Sequence, residues 1–558
     1  MQEVLVVGAG PTGLMLGCEL LRHGVRARVI DKAAAPSPLS KAIVVHARSL
    51  EVMEPLGVAD ELVASGLQVA RVQLFGDGRS IMQASFEELD TRYPFLLSIP
   101  QADTEAILAR RFLALGGRIE RGVELAALNQ DAGGVDVLLR SGGHAEKVRA
   151  DWVVGCDGAH SVVRKSVGLD FRGELFEEPF MLADVRIQWD VATDAVTSFF
   201  SAAGLLACFP MPGGRWRLIL SGAPDGEAAV TLSDVEFAVR ERTGHTAMLS
   251  DAAWLARFRI HARQVERYRV GRVLVAGDAA HIHSPAGGQG MNTGLQDAHN
   301  LGWKLALVAS GQAGDDLLDS YHAERHAVGQ SLLRATDYAT RAATLKNPVA
   351  RVLRNSVAGF LSTLEVVQAR IMRTTAELAL SYDKSPIVGQ HHGGLLGSRL
   401  GRDDTSDEAP TISAHSAFMH GPAPGARAPD GYLYRADGRR RLMELVDHRH
   451  TLLLFDGRAA TLEGYQRLAA IARAIDARYA ALVAVHVVLP GRDRPLALDW
   501  NGSCLSDLDG DLEDRYGARA ECMYLIRPDL YVGFRSQPAE LAPLLGHLDI
   551  VLGPRPRA

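Results

Sequence analysis

Apolar and polar positions repeat with a strand-like period in some stretches of this chain and a helix-like period in others, and the changes between them predict its elements. The run Val4 to Val7 is short, apolar and bounded by glycine, as a buried strand is, whereas from Pro11 to Arg22 apolar positions return at helical spacing. Between them stands Gly8-Ala-Gly-Pro-Thr-Gly13, so the order is strand, glycine turn, helix, with Pro11 suited to the first helical turn. A second strand, Ala27 to Ile30, delivers Asp31 with Lys32 behind it. Two later strands end in the same manner. One, from Asp151, runs into Gly155-Cys-Asp-Gly-Ala-His-Ser161, and the other, from Gly271, ends at Gly277-Asp278. Beyond Asp278, Pro285 to Gly290 is glycine-rich, and Met291 to Lys304 is helical in pattern.

The remaining chain divides by the same reading. Ser49 to about Gly66 predicts a helix and its cap, and Arg71 to Leu97 alternates like strands about a Gly76-Asp77-Gly78 turn. Residues 176–264 hold strand-like runs at Phe180 to Trp189, Leu205 to Met211 and Arg215 to Ser221. Ala335 to Ser381 has helical period, and residues 398–430 are loop-rich, as a linker is. After that come a strand (Thr451 to Phe455), a helix (Leu462 to Ile475) and a strand (Ala481 to Val488). A hairpin about Pro528-Asp529 and a helix, Ala539 to Leu548, close the pattern.

Chemistry enters with the glycine turn. Gly8 permits the tight turn, Gly10 lets backbone approach a pyrophosphate and Gly13 lets helix pack on strand, while the helix N-terminus offers N–H groups to phosphate. Asp31 lies near the ~20-residue distance at which an acid holds a ribose hydroxyl pair. The ligand is then a dinucleotide with an unphosphorylated ribose there. Each such motif also occurs as an ordinary strand-to-helix turn. Two further strands with acidic ends, at Asp157 and Asp278, imply one long ligand across several strand termini, which favours FAD over NAD. The loop Pro285 to Gly290 before a helix makes an anion site suited to the electron-rich edge of a flavin ring. No second strand-GxGxxG-helix unit is present, so a nicotinamide nucleotide has no domain of its own.

Composition narrows the setting. At 558 residues the chain has room for three or four domains at ~100 to 200 residues each. A net charge of -6, with arginines spread along the chain, gives no hint of nucleic-acid binding. Cys18, Cys156, Cys208, Cys504 and Cys522 are too far apart for a CxxC pair or a zinc site, so no metal is expected. The first strand begins by Val4, leaving no room for a signal peptide, and no apolar run reaches the ~18 residues of a membrane span. A soluble, cytoplasmic protein is expected.

The three glycine and aspartate segments, GAGPTG, CDGAHSVVR and AGDAAHIHSPAGGQGMNTGLQDAHNLGWKLA, resemble the three signatures of the class A flavoprotein monooxygenases, the p-hydroxybenzoate hydroxylase and phenol hydroxylase type. The resemblance covers residues 4 to about 310. It implies an α/β fold: a Rossmann-like FAD-binding domain (1–175 and 265–334), an inserted β-sheet substrate domain (176–264, joined by 71–97), a helical connector (335–397) and a thioredoxin-like C-terminal domain without CxxC (398–558). It implies that Gly8, Gly10, Pro11, Thr12 and Gly13 hold the FAD pyrophosphate, Asp31 and Lys32 the adenosine side, and Asp278 the ribityl chain. Gln101 takes a flavin-contacting position, and Asp157, with Arg164 beyond it, falls in the segment used near both FAD and the nicotinamide nucleotide. The backbone of Pro285 lies near the reactive flavin carbon, and Gly288, Gly290, Met291 and Asn292 lie by the pyrimidine edge. Where the family shows Ser-Arg-Ala this chain has Ser40-Lys41-Ala42, and lysine supplies a point charge rather than a planar fork. Arg48 is a second basic candidate, with a solvated surface arginine the competing reading.

The reaction implied is hydroxylation of a phenolic or polyketide-like ring by way of a flavin C4a-hydroperoxide, with NADPH or NADH as transient reductant. The partners are a small aromatic molecule and O2, without nucleic acid or membrane, and with a homodimer allowed for. Phe209, Met211 and Trp216 are candidates for a substrate wall, core packing being the commoner fate of such side chains. His46, His281 and His283 are assigned no catalysis, the latter two reading as loop scaffold. Baeyer-Villiger insertion, antibiotic inactivation and ligand sequestration without turnover stand as alternatives. The Trp-x-Trp-x-Ile-Pro signature of flavin-dependent halogenases is absent.

Overall fold

The structure, a computed structural model, describes residues 3–223, 229–244, 247–284, 286–343, 347–361, 364–393, 412–435, 438–457 and 461–553. Contacts divide the chain into two compact units, residues 1–309 with 325–379, and residues 310–324 with 380–558.

In the first unit a six-stranded sheet runs in the order Arg269–Val270, Val273–Val275, Trp152–Gly155, Glu3–Val7, Arg26–Asp31, Arg118–Arg121. Every pairing except that of the edge strand Arg269–Val270 is parallel. The helix Pro11–Arg22 joins the neighbouring strands Glu3–Val7 and Arg26–Asp31 and buries Leu14, Leu16, Cys18 and Leu20. Strands this apolar, covered on both faces, are what a parallel sheet requires.

An eight-stranded sheet belongs to the same unit. Its order is His281–Ile282, Met248–Gln264, Arg172–Gln188, Arg215–Ser221, Gly204–Met211, Ala195–Ser201, Arg71–Gly76, Arg79–Ser85, so the hairpin from residues 71–85 does join the strands of 172–264. One face is closed by the helix Leu232–Thr243, whose Val235, Ala238 and Val239 pack on Met181, Trp216, Leu218 and Leu220. Two of these elements were not expected. The strand Met248–Gln264 carries Arg257, Arg259, His261 and Arg263 among its apolar positions, which hides its alternation behind low mean hydropathy. The helix had a readable start: Thr231 and Asp234 cap each other's backbone N–H groups as a capping box.

Two other expectations change. The helix expected over Ser49 to Gly66 is two helices, Ala47–Met53 and Ala59–Ser65, parted by a turn at Glu54–Leu56 where Pro55 withholds an N–H and Gly57 takes φ 72°. The 335–397 connector contains the helices Pro348–Leu361 and Glu365–Thr375, but the division between units falls at 379/380, and 310–324 joins the C-terminal unit. Met372 explains part of this, since it packs with Ile43 and Val44 of the first unit. Much of the expected linker, including Asp403 to Glu408, lies outside the described residues, and the helix Ile412–His420 occupies its end.

In the C-terminal unit, Val532–Gln537, Ala520–Ile526, His450–Gly457 and Val483–Leu489 are neighbours in that order, the last two parallel and the others antiparallel. With the helix Leu462–Tyr479 between the parallel pair and Leu541–Leu552 last, this is the thioredoxin-like arrangement. Cys504 and Cys522 are free thiols. The unit buries an ion cluster: Arg527 donates to both Glu324 oxygens at 2.6 and 2.9 Å and to Asp529 at 2.9 Å. Among the described residues, no helix is long and apolar enough to cross a membrane.

Removing the cation of a buried cluster leaves its carboxylates uncompensated. Arg527→Met is expected to destabilise the C-terminal unit by ~3–5 kcal/mol in chemical denaturation; an unchanged midpoint would show that the cluster contributes nothing.

Candidate functional site

The register of the parallel sheet brings its carboxyl ends level: Val7 lies beside both Gly155 and Ile30, and Gly155 beside Val275. The chain therefore leaves the sheet at neighbouring points, and a cavity of about 460 Å³ opens there. Gly8 has φ +108°, and a Cβ on it would stand 2.3 Å from the Cys156 carbonyl oxygen. On Gly13 a Cβ would stand 1.9 Å from the Gly8 oxygen. Gly10 is different, because nothing lies within 4 Å of where its Cβ would be, on the side that lines the cavity. Two glycines thus close the turn while the third leaves room for a ligand. Thr12 also lines the cavity and fills the space left by Gly277 and Gly294, where Cβ atoms would come within 2.6 and 2.4 Å of its hydroxyl.

Four carboxylates line the same cavity: Glu124 and the three at strand ends, Asp31, Asp157 and Asp278. Asp31 accepts from Ala9 N and Ala33 N, both at 2.8 Å, and so braces the glycine turn while facing the cavity. Asp157 accepts from Val162 N at 2.6 Å and Val163 N at 3.2 Å, leaving its Oδ1 buried with no protein partner. Asp278 is ringed by protein yet open on its cavity side; enclosure pushes its carboxyl up, with His281 and Lys41 acting against this. Lys32 and Lys41 supply positive charge, and the helix Gly290–Ala309 begins at the cavity with Gly288, Gly290 and Met291 in its lining. Cations and two helix N-termini for a diphosphate, and carboxylates for hydroxyl groups, fit the two halves of FAD.

Lys41 stands on a loop held from three sides. Gln101 Oε1 accepts from Ala42 N at 3.1 Å while its Nε2 donates to Glu105 at 2.7 Å, so this glutamine lines the cavity with its amide already engaged. Ser40 Oγ accepts from Ala102 N at 3.2 Å. Arg217, fully buried on the eight-stranded sheet, donates to Ser40 O at 2.6 Å and Lys41 O at 3.0 Å while pairing with Asp184 through two bonds of 2.7 Å. Sequence reasoning missed Arg217 and Asp184, whose only signal was charge inside an apolar strand pattern.

Several expected residues stand elsewhere. Gly13 is under the turn and Asn292 is buried behind the loop, so neither lines the cavity. Arg48 is neither in the cavity nor on the surface: it is buried and donates to Glu51 at 2.9 Å. Arg164 is likewise buried and donates to Ala279 O and Ala159 O at 3.1 and 2.8 Å, tying two strand-end turns together. Pro285 lies outside the described residues. Trp216 is core, edge-on to Trp189 at 5.1 Å beneath the helix Leu232–Thr243, because strand alternation turns it from the face that carries Arg217. Phe209 and Met211 share a cluster with Ile43 and Val44 and do not line the cavity. His281 donates to Asp297 at 2.7 Å, and Asp297 also accepts from Gly277 N at 3.0 Å and Arg325 at 2.6 Å. Burial acts to raise the Asp297 carboxyl, but Arg325 and His281 outweigh it and hold it low.

The glycines separate ligand room from folding room. Gly10 has φ -81° and ψ -175°, which any residue adopts. Gly10→Val is expected to weaken FAD binding at least about tenfold with the apo-protein's thermal unfolding unchanged, whereas Gly13→Ala lowers that unfolding temperature. Equal FAD affinity of Gly10→Val and wild type would remove Gly10 from the cofactor site.

Comparison with known proteins agrees with this geometry. Residues 1–336 match the FAD binding domain family and residues 421–554 the aromatic-ring hydroxylase C-terminal family. The chain is 37% identical over 557 residues to 6-methylpretetramide 4-monooxygenase of Streptomyces rimosus, covering 98% of this chain and 93% of that one. It is 32% identical over 543 residues to pentachlorophenol 4-monooxygenase of Sphingobium chlorophenolicum, covering 96% and 93%. Among solved structures, anhydrotetracycline hydroxylase from Streptomyces rimosus matches with a TM-score of 0.73 at 30% identity over 100% of both chains. With family models at both ends and relatives along nearly its whole length, the chain belongs to the FAD-dependent aromatic-ring hydroxylases, a family of monooxygenases.

Proposed function

We propose that this monooxygenase hydroxylates an uncharged phenolic or polyketide-like ring, taking electrons from NADPH or NADH that docks beside the cavity. The observation that carries the substrate reading is the face of the eight-stranded sheet opposite the helix Leu232–Thr243. Cross-strand partners Trp254, Asp184, Arg217 and Phe209 form one row on that face, and Ala256, Leu182, Ile219 and Ala207 form the next. Phe180 and Phe258 follow, with ring centroids 5.8 Å apart. The face belongs to the same unit as the cavity and is turned toward its Lys41 loop, as the Arg217 bonds require. Asp184 neutralises Arg217, so these two rows offer aromatic and aliphatic surface with their ion pair closed. Such a surface suits a flat, neutral ring better than a free carboxylate. The relatives' tetracycline-type and phenolic substrates are of that chemistry.

Bound FAD supplies reduction by two electrons and activation of O2. The chain's own part is placement: Asp31, Asp278 and the lysines orient the cofactor, and the apolar sheet face seats the ring and keeps water away from it. Support for a docked reductant comes from the cavity's Asp157 side. Arg263 is half-buried, its Nε is buried without a partner, and no carboxylate pairs with it among the described residues. It pairs across strands with Ile282, which lines the cavity, and its neighbours include Arg164, His261 and, at the cavity edge, His160. Burial, Arg263 and His160 together push His261 down. An arginine with no carboxylate paired to it suits a diphosphate-bearing ligand.

With FAD bound, a polycyclic phenol is expected to stimulate NAD(P)H oxidation at least about fivefold and to gain one 18O atom from 18O2 by mass spectrometry; stimulation without label would sink the hydroxylase reading. Arg263→Glu is expected to raise the reductant KM about tenfold, which is ~1.4 kcal/mol, with the FAD Kd unchanged. An unchanged KM would remove Arg263 from the docking site.

A further inference from the structure

His46 precedes the helix Ala47–Met53, is fully buried, and touches the glycine loop that borders the cavity. Its Nε2 lies 2.9 Å from Gly287 O, and its backbone N–H donates to Asn292 Oδ1 at 2.9 Å. Asn292 Nδ2 in turn donates to Gly288 O at 2.8 Å and to Val44 O at 2.9 Å. Successive loop carbonyls are thus gripped by two side chains that also grip each other's segments. The loop needs such a grip. Gly287 and Gly288 have φ 83° and 67°, and residues without Cβ have many other conformations open to them. Gly288 is pressed against Val44, where a Cβ would come within 3.2 Å, and Gly288, Gln289 and Gly290 all line the cavity.

We infer that His46 is a positioning residue of the flavin site, whose Nε2–H holds the Gly287 carbonyl and thereby sets the loop and helix start against which the cofactor's ring end lies. A carbonyl only accepts, so Nε2 carries the hydrogen and Nδ1 is the lone-pair nitrogen. Nδ1 is buried without a partner, and a second proton there would be an unsatisfied donor in an apolar setting. Burial accordingly pushes the imidazole down to about 4, so this donor form persists through the neutral range. An apolar ring in its place would fill the space and leave the Gly287 carbonyl without the donor that holds it.

The inference rests on the cavity being the FAD site. The test compares His46→Phe, which keeps a ring without a donor, with His46→Gln, which keeps an N–H of similar reach. Apo-protein is titrated with FAD by flavin fluorescence, the visible flavin band of the complex is recorded, and thermal unfolding of each apo-protein is measured. His46→Phe is expected to raise the FAD Kd about tenfold and shift the band, with His46→Gln within about threefold of wild type, as the loss or retention of the hydrogen bond that holds the loop requires. His46→Met serves as the donor-less variant if His46→Phe does not fold. Wild-type affinity in a donor-less variant, or equal weakness in His46→Gln, would overturn the assignment. Failure of the wild-type protein to take up FAD would instead overturn the flavin reading beneath it.

Discussion

The site depends on one constraint, the level register of parallel strands in the six-stranded sheet. The backbone ladder continues one residue past the strands, with Gly8 N bonded to Ile30 O, Cys156 N to Val7 O and Ala276 N to Gly155 O. Each chain must then turn away within a residue or two, in a space crowded enough that Gly8 and Gly13 admit no side chain. The turns expose backbone N–H groups and place Asp31, Asp157 and Asp278 around a single cavity although they are far apart in sequence. A slip of one residue in any pairing would force that strand to repack against both covered faces, so close packing of the sheet enforces the alignment of its ends.

Behind the cavity, charged side chains act mostly as scaffold. Asp297 collects Gly277 N, His281 and Arg325, and so holds the turn that presents Asp278. Arg164 links the turns at Ala159 and Ala279, and Arg217 links the eight-stranded sheet to the Lys41 loop. Buried ions are costly unless fully hydrogen-bonded, and here Asp297 meets N–H donors while the arginines meet carbonyls or carboxylates at bonding distance. The eight-stranded sheet and the Lys41 loop of the cavity lining are therefore tied through the Arg217 guanidinium. The C-terminal unit repeats the tactic with Arg527 between Glu324 and Asp529.

Much of this was legible before any coordinates. The helix Pro11–Arg22 and the strands ending at Gly8, Asp31, Cys156 and Gly277 lie within a residue or two of where hydrophobic period and glycine punctuation put them. The strand Met248–Gln264 was not legible, since its arginines masked the alternation, and Pro55 broke a helix that apolar spacing alone would have continued. Arg48 was misplaced, and Trp216 could be given only as core or substrate wall, for a common reason: residue type says that a side chain is large and basic, or large and aromatic, but not which face of its element the neighbours will cover.

By itself, then, the sequence determined the dinucleotide-binding turn, the acidic strand ends and the family, because glycine conformational freedom and hydrophobic period are local properties written in consecutive residues. Only the tertiary structure decided which charges remain available to a ligand. Arg217, Arg164 and Gln101 were engaged by backbone groups and side chains brought near from distant segments, while Gly10 was left open, and such pairings follow from packing rather than from local pattern.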